Sequence, residues 1–133
     1  MDETVANLVR DRAGNRCEYC RLHQDDEPFF RLHIEHIIPK QHDGPDDPSN
    51  LALACHHCNL HKGPNLAGID PETDVIVPLF HPRRQAWDEH FEVRGIRVAG
   101  RTPAGRATVR VLQMNAAVRL ELRTELRAAG RWG

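Results

Sequence analysis

Residues 50–63 read Asn50-Leu51-Ala52-Leu53-Ala54-Cys55-His56-His57-Cys58-Asn59-Leu60-His61-Lys62-Gly63. The apolar run Leu51 to Ala54 predicts a short buried strand that delivers the chain to a Cys-x-x-Cys turn. Asn59 to Lys62 predicts a helix just after that turn, limited by Gly63-Pro64. An identical pair stands upstream, Cys17-Glu18-Tyr19-Cys20, and 34 residues separate the two. Two such turns supply the tetrahedral set of four thiolates that structural Zn2+ prefers, which makes Cys17, Cys20, Cys55 and Cys58 the expected zinc ligands. The competing reading is two disulfides, which a reducing cytosol disfavours. His56, His57 and His61 are near enough to replace a thiol, yet four cysteines already complete the shell. The stretch from 15 to 66 is loop-rich and short of large apolar residues. A structural zinc worth on the order of 10–16 kcal/mol would compensate for that thin core. A filled sulfur shell has no open position, so any chemistry is expected from other residues.

Seven of the nine histidines lie between residues 23 and 61, in and around the loop that the cysteine pairs close. Phe29 to Glu35 reads as a strand that continues through His36-Ile37-Ile38 and stops at Pro39. Gln41 to Ser49, with Gly44, Pro45 and Pro48, reads as a loop. The expected order is strand, loop, strand, helix, pinned by zinc.

Glu35-His36-Ile37-Ile38-Pro39, then Ser49-Asn50-Leu51, then Cys55-x-x-Cys58-Asn59-x-x-Lys62-Gly63 together resemble the motif of the HNH endonucleases, in their zinc-bearing bacterial branch. The resemblance covers roughly residues 17 to 63. It implies an α+β fold with a zinc-stabilised ββα-metal (HNH, or His-Me finger) core and a mixed strand and helix C-terminal extension. It also implies His36 as general base, Asn50 as the asparagine that fixes the loop, and Asn59 as the last motif residue. Glu35 and Asn59 would be ligands of a catalytic Mg2+ or Mn2+, and DNA would be the substrate. Many members carry Asp or His in place of Glu35, and His in place of Asn59.

The residue types suit phosphodiester hydrolysis in their own right. A neutral imidazole, with a reference pKa of about 6.5, can take a proton from water near neutral pH. A hard divalent ion prefers oxygen ligands such as a carboxylate and an amide oxygen. Adjacent residues of an extended chain point to opposite sides, so Glu35 and His36 share a face only where the strand ends or bends between them. By two-residue spacing His33 lies on the Glu35 side, and His33, His61 and Lys62 are further candidates for metal or substrate contact. His23 and His42 read as solvated loop residues. Each assignment has a plainer alternative: a structural histidine, a turn asparagine or a surface carboxylate.

Outside this stretch, residues 2–13 predict a short helix. Val75 to Phe80 predicts an edge strand, and Pro82 to Phe91 a helix in which Trp87 and Phe91 pack one turn apart. Ile96 to Val98 predicts a strand, Gly100 to Gly105 a loop, and 107–114 and 116–129 two helices. The second has Val118, Leu122 and Leu126 on an apolar stripe. Arg119, Arg123 and Arg127 lie on an adjacent stripe, read as a solvated face and a candidate DNA contact. The Asp70–Phe91 segment resembles, more loosely, the downstream extension of some bacterial HNH proteins.

With 133 residues, the chain is expected to form a single domain, 1–133, made of a zinc-framed core at 15–66 and an extension at 67–133. Hydrophobic residues at 40% and charged residues at 28%, with no apolar run near the roughly 20 residues of a membrane span, exclude a membrane-protein composition. Residues 1–10 lack the basic flank and apolar stretch of a signal peptide, which predicts a cytoplasmic protein. Net charge is -1, but residues 1–74 hold 7 Lys/Arg against 14 Asp/Glu and residues 75–133 hold 11 against 5. A polyanionic partner is therefore compatible with the charge. The function expected is a divalent-metal-dependent DNA endonuclease. The alternatives are a non-cleaving, zinc-stabilised nucleic-acid-binding module and a purely structural zinc domain. The sequence gives no signal for oligomeric state.

Overall fold

The computed structural model describes residues 2–132. The fold is a mixed α+β arrangement in two compact units, Met1–Asn65 with His81–Gln85, and Leu66–Phe80 with Ala86–Gly133. The division falls one residue before the expected boundary at 66/67, and 81–85 return to the first unit.

In the first unit, helix α1 spans Glu3–Arg12, its N-terminus capped by the Asp2 carboxylate on the Thr4 N–H at 2.7 Å. Val9 is fully buried. Arg10 and Arg12 tie the helix to the chain beyond it, donating to Leu32 O at 3.0 Å and Pro48 O at 2.7 Å. Strands β1 (His33–His36) and β2 (Leu51–Ala54) pair antiparallel, with His33 opposite Ala54 and His36 opposite Leu51. Strand β2 is buried along its whole length, as its apolar run predicts. Helix α2 follows at His56–Lys62.

Two expectations change here. The strand foreseen over 29–38 is only β1, because the Gln24 side chain takes the backbone partners a neighbouring strand would need: it donates to Phe30 O at 3.1 Å and accepts from Leu32 N at 2.7 Å. At the other end Asn50 replaces the ladder, its backbone oxygen accepting from Ile37 N at 2.8 Å and its Oδ1 from Ile38 N at 2.9 Å. Helix α2 starts three residues earlier than Asn59, since Cys55 acts as its cap, with Sγ accepting the Cys58 N–H at 3.4 Å.

The second unit holds two hairpins and three helices. Strands β3 (Ala67–Ile69) and β4 (Ile76–Pro78) form the first hairpin. Helix α3 (Trp87–His90) leads into β5 (Phe91–Arg94) and β6 (Arg97–Gly100), the second hairpin. Helices α4 (Pro103–Val111) and α5 (Ala117–Ala128) complete it. Phe80, Phe91, Val98, Ala107, Leu112 and Met114 form its core.

The helix foreseen from Pro82 to Phe91 is reduced to α3. Residues 81–85 form a turn in which Gln85 Oε1 accepts the His81 N–H at 2.8 Å, and Phe91 belongs to β5. Trp87 and Phe91 nonetheless pack together, ring centroids 5.2 Å apart. Of the loop foreseen over 100–105, Gly100 ends β6 and residues 103–105 open α4, where Thr102 caps Gly105 N at 3.0 Å and Pro103 takes the first helical position. The arginine stripe of α5 divides: Arg119 and Arg123 are buried and Arg127 is exposed, while Val118 of the expected apolar stripe is 63% exposed. Arg123 donates to Ile96 O and Asn115 Oδ1, both at 3.2 Å, and lies over the Trp132 ring.

Candidate functional site

The four cysteines come together. Their sulfur atoms all lie within 4.8 Å of one another, every one buried, and among the described residues this is the one cluster of three or more His, Cys, Asp or Glu side chains that could hold an ion. All four are free thiols, with Cys20 Sγ 3.7 Å from Cys55 Sγ. Burial pushes the Cys17 thiol well above its usual range, and the neighbouring thiols do the same to Cys58. Four such sulfurs without a nearby cation are poor company, and a borderline-soft divalent ion that accepts them as thiolates resolves the conflict. The donor set fits structural zinc.

Tyr19, inside the first turn, points from this cluster to β1, and its hydroxyl donates to Glu35 Oε1. Burial, then the Glu35 charge, raises the Tyr19 pKa, which keeps the phenol protonated as a donor. The other carboxylate oxygen, Oε2, lies 3.2 Å from Lys62 Nζ. Lys62 also donates to Ile37 O at 2.9 Å and His36 O at 3.4 Å. Burial pushes the Glu35 carboxyl up while Lys62 pulls it back down. Glu35 thus faces inward, with both oxygens engaged.

His36 faces the other way, as strand alternation requires. Its Nε2 lies 2.7 Å from Asp46 Oδ1, and Lys40 Nζ reaches the same oxygen at 3.4 Å. These two hydrogen bonds hold the Asp46 carboxyl below its usual range, His36 contributing most. His36, Lys40 and Asp46, with Val5 of α1 and its capping residue Asp2, line a cleft of about 420 Å³.

Asn50 fixes the loop that brings Asp46 there. Besides accepting from Ile38 N, its amide donates to Ile38 O at 3.0 Å and Pro45 O at 2.9 Å. The loop is drawn in so closely that a Cβ on Gly44 would lie 1.6 Å from Ile38 O. Only glycine fits that approach.

The remaining sequence candidates divide. Asn59 lies on α2, half-buried, with no side-chain hydrogen bond among the described residues. His33 pairs with His56, Nε2 to Nδ1 at 3.1 Å, and the His56 ring stacks on Phe30 with centroids 4.0 Å apart. His61 packs against His57 at 4.4 Å. Lys62, expected as a metal or substrate contact, is 2% exposed and pairs with Glu35. Glu35, expected as a ligand of a catalytic ion, has its carboxylate closed in by Tyr19 and Lys62. The oxygen pair expected for Mg2+ or Mn2+, Glu35 with Asn59, therefore does not fit as a set. Asp46 and Tyr19 were missed. Tyr19 sits in plain view inside a cysteine pair, but nothing in the spacing marks Asp46.

Residues 17–65 match the HNH endonuclease family. This HNH segment contains the four cysteines, β1, β2 and α2. The Septu protein PtuB of Bacillus thuringiensis is 27% identical to the chain over 117 residues, covering 83% of this chain and 40% of that protein. The chain thus spans less than half the length of that relative. No solved structure matches it. Among the described residues no helix is long and apolar enough to cross a membrane.

Proposed function

We propose that the protein is a nuclease that hydrolyses phosphodiester bonds in DNA, with His36 as general base. The carrying observation is the His36–Asp46 hydrogen bond, made within the HNH segment by two residues that line a cleft. With Nε2–H donated to Asp46, the neutral imidazole leaves Nδ1 as the basic nitrogen. Nδ1 takes a proton from water, the water oxygen attacks phosphorus in line, and the bond to the 3'-oxygen breaks. That oxygen takes a proton from solvent, which leaves 3'-hydroxyl and 5'-phosphate ends. Asp46 balances the imidazolium that forms. Asn50 acts at one remove, by holding the loop that carries Asp46.

Cys17, Cys20, Cys55 and Cys58 would hold Zn2+, which supplies cross-linking and no chemistry, since a full sulfur shell has no place for water or substrate. The ββα-metal arrangement is the reading we adopt for β1, β2 and α2. With the Glu35 carboxylate held by Tyr19 and Lys62, the proposed steps run through His36, Asp46 and solvent.

That same observation favours a second reading, a zinc-stabilised module that binds nucleic acid without cutting it. Incubation with supercoiled plasmid, with Mg2+ or Mn2+ against EDTA, separates the two. Nicking or linearisation by the wild type that His36→Ala lacks, at a loss of roughly 100- to 10,000-fold, supports the nuclease. Binding with no cutting under any ion supports the module, and equal cutting by His36→Ala removes His36 from the mechanism.

A further inference from the structure

The second unit contains a cleft of its own, about 520 Å³, lined by hairpin β5–β6, helix α4 and the Pro71-Glu72 turn. Four arginines face it: Arg94, Arg97, Arg106 and Arg110. Two are already committed. Arg106 forks onto the fully buried Asp70, Nε and Nη2 each at 2.9 Å, and its Nε lies 3.1 Å from Glu72. Arg94 bonds Glu92 through Nε at 2.6 Å. The carboxylates near the cleft are consumed by these pairs. Arg97 on β6 and Arg110 on α4 are exposed and have no carboxylate partner among the described residues.

The frame beneath these two arginines is fixed. Asn115 accepts from Val98 N at 3.0 Å and donates to Val98 O at 2.9 Å, and the buried Arg123 holds Asn115 Oδ1 from the other side. Val98, Ala99 and Val109 give the cleft an apolar lining. Two free guanidinium forks beside an apolar surface match a ligand with a phosphate at one end and a flat or apolar body at the other. The volume lies within the usual range of small-molecule sites, roughly 300–1,000 Å³.

We propose that this cleft binds a nucleotide phosphate, with Arg97 and Arg110 on the phosphate oxygens and the half-buried Ala99 and Val109 against the attached sugar and base. The ligand can come as a free nucleotide or as part of a nucleic-acid strand. The site lies wholly outside the HNH segment and shares no residue with the His36 cleft, so it stands or falls apart from the cleavage reading.

The test is binding, measured by calorimetry or fluorescence anisotropy on the whole zinc-loaded chain at low salt. The probes are AMP, ATP, 5'-phosphorylated and unphosphorylated oligonucleotides, inorganic phosphate and polyglutamate. Saturation by nucleotide or oligonucleotide is expected, with Arg97→Gln and Arg110→Gln each weakening it about tenfold and Arg94→Gln, whose charge is already paired, weakening it less. Competition between ATP and the oligonucleotide identifies the source. Loss of binding on removing the 5'-phosphate assigns the cleft to a strand end. The proposal is overturned by no saturation below about 1 mM, by unchanged affinity in both arginine variants, or by inorganic phosphate binding as tightly as nucleotides. Equal binding of polyglutamate also overturns it, by pointing to an acidic protein partner.

Discussion

Lys62 and Glu35 form a buried ion pair, Nζ to Oε2 at 3.2 Å, with both side chains almost closed to solvent. The same ammonium holds the carbonyl oxygens of Ile37 and His36, and the same carboxylate holds the hydroxyl of Tyr19. One carboxylate thus connects the first cysteine turn, the end of β1 and helix α2. This is a positioning device for the strand end that carries His36, built from two residues that the motif alone assigns to metal or substrate contact.

Removing one partner should be costly, because it strands the other charge. Lys62→Met is expected to destabilise the protein by about 3–5 kcal/mol, read by urea unfolding, with zinc content unchanged. Adding Glu35→Gln should recover part of that loss. Additive losses in the double variant would mean that the two side chains act independently.

Zinc should be needed for folding. About one tightly held Zn2+ per chain is expected, and Cys20→Ser or Cys58→Ser should lower soluble yield and helical circular dichroism, since the apparent contribution of such a site is on the order of 10–16 kcal/mol. A first unit that keeps its helical signal after complete chelation would count against this.

Asp46 should matter for rate more than for fold. Asp46→Ala is expected to lower plasmid cleavage about 10- to 100-fold, as loss of a histidine's orienting partner typically does, without changing zinc content or the melting temperature. Nitrogen-15 shifts of the His36 ring give an independent reading. The wild type should hold the Nε2–H tautomer, and Asp46→Ala should show a mixture. The same tautomer in both proteins would remove Asp46 from its role.

The Asp70–Arg106 pair predicts an acid limit for the second unit. The Arg106 guanidinium first, then the Glu72 N–H and the Thr73 hydroxyl, hold the Asp70 carboxyl well below the usual carboxylate range. An unfolded chain, with a carboxyl pKa near 3.9, binds more protons than the folded one over that interval. The pair's stabilisation is therefore complete above about pH 5 and is lost as pH falls below about 4. The melting-temperature gap between wild type and Asp70→Asn should be widest near neutrality and shrink in acid. A gap that stays constant with pH would reject this account.

The sequence by itself determined what depends on neighbours along the chain. Two Cys-x-x-Cys turns announce their ligand set by spacing. Leu51 to Ala54 announces a buried strand, residues 2–13 announce α1, and Asn50 is legible as a loop anchor because a turn asparagine bonds locally. Tertiary structure decided the rest, since those outcomes rest on partners far away in sequence. Glu35 turns from expected metal ligand to buried pair through Lys62 and Tyr19, 27 and 16 residues away. Asp46 reaches His36 only because the loop between them folds back onto Ile38. Arg123 leaves the solvated stripe because Ile96 offers a carbonyl 27 residues upstream. A charged side chain looks the same in sequence whether it will meet water or a buried partner, and only the folded chain supplies the partner.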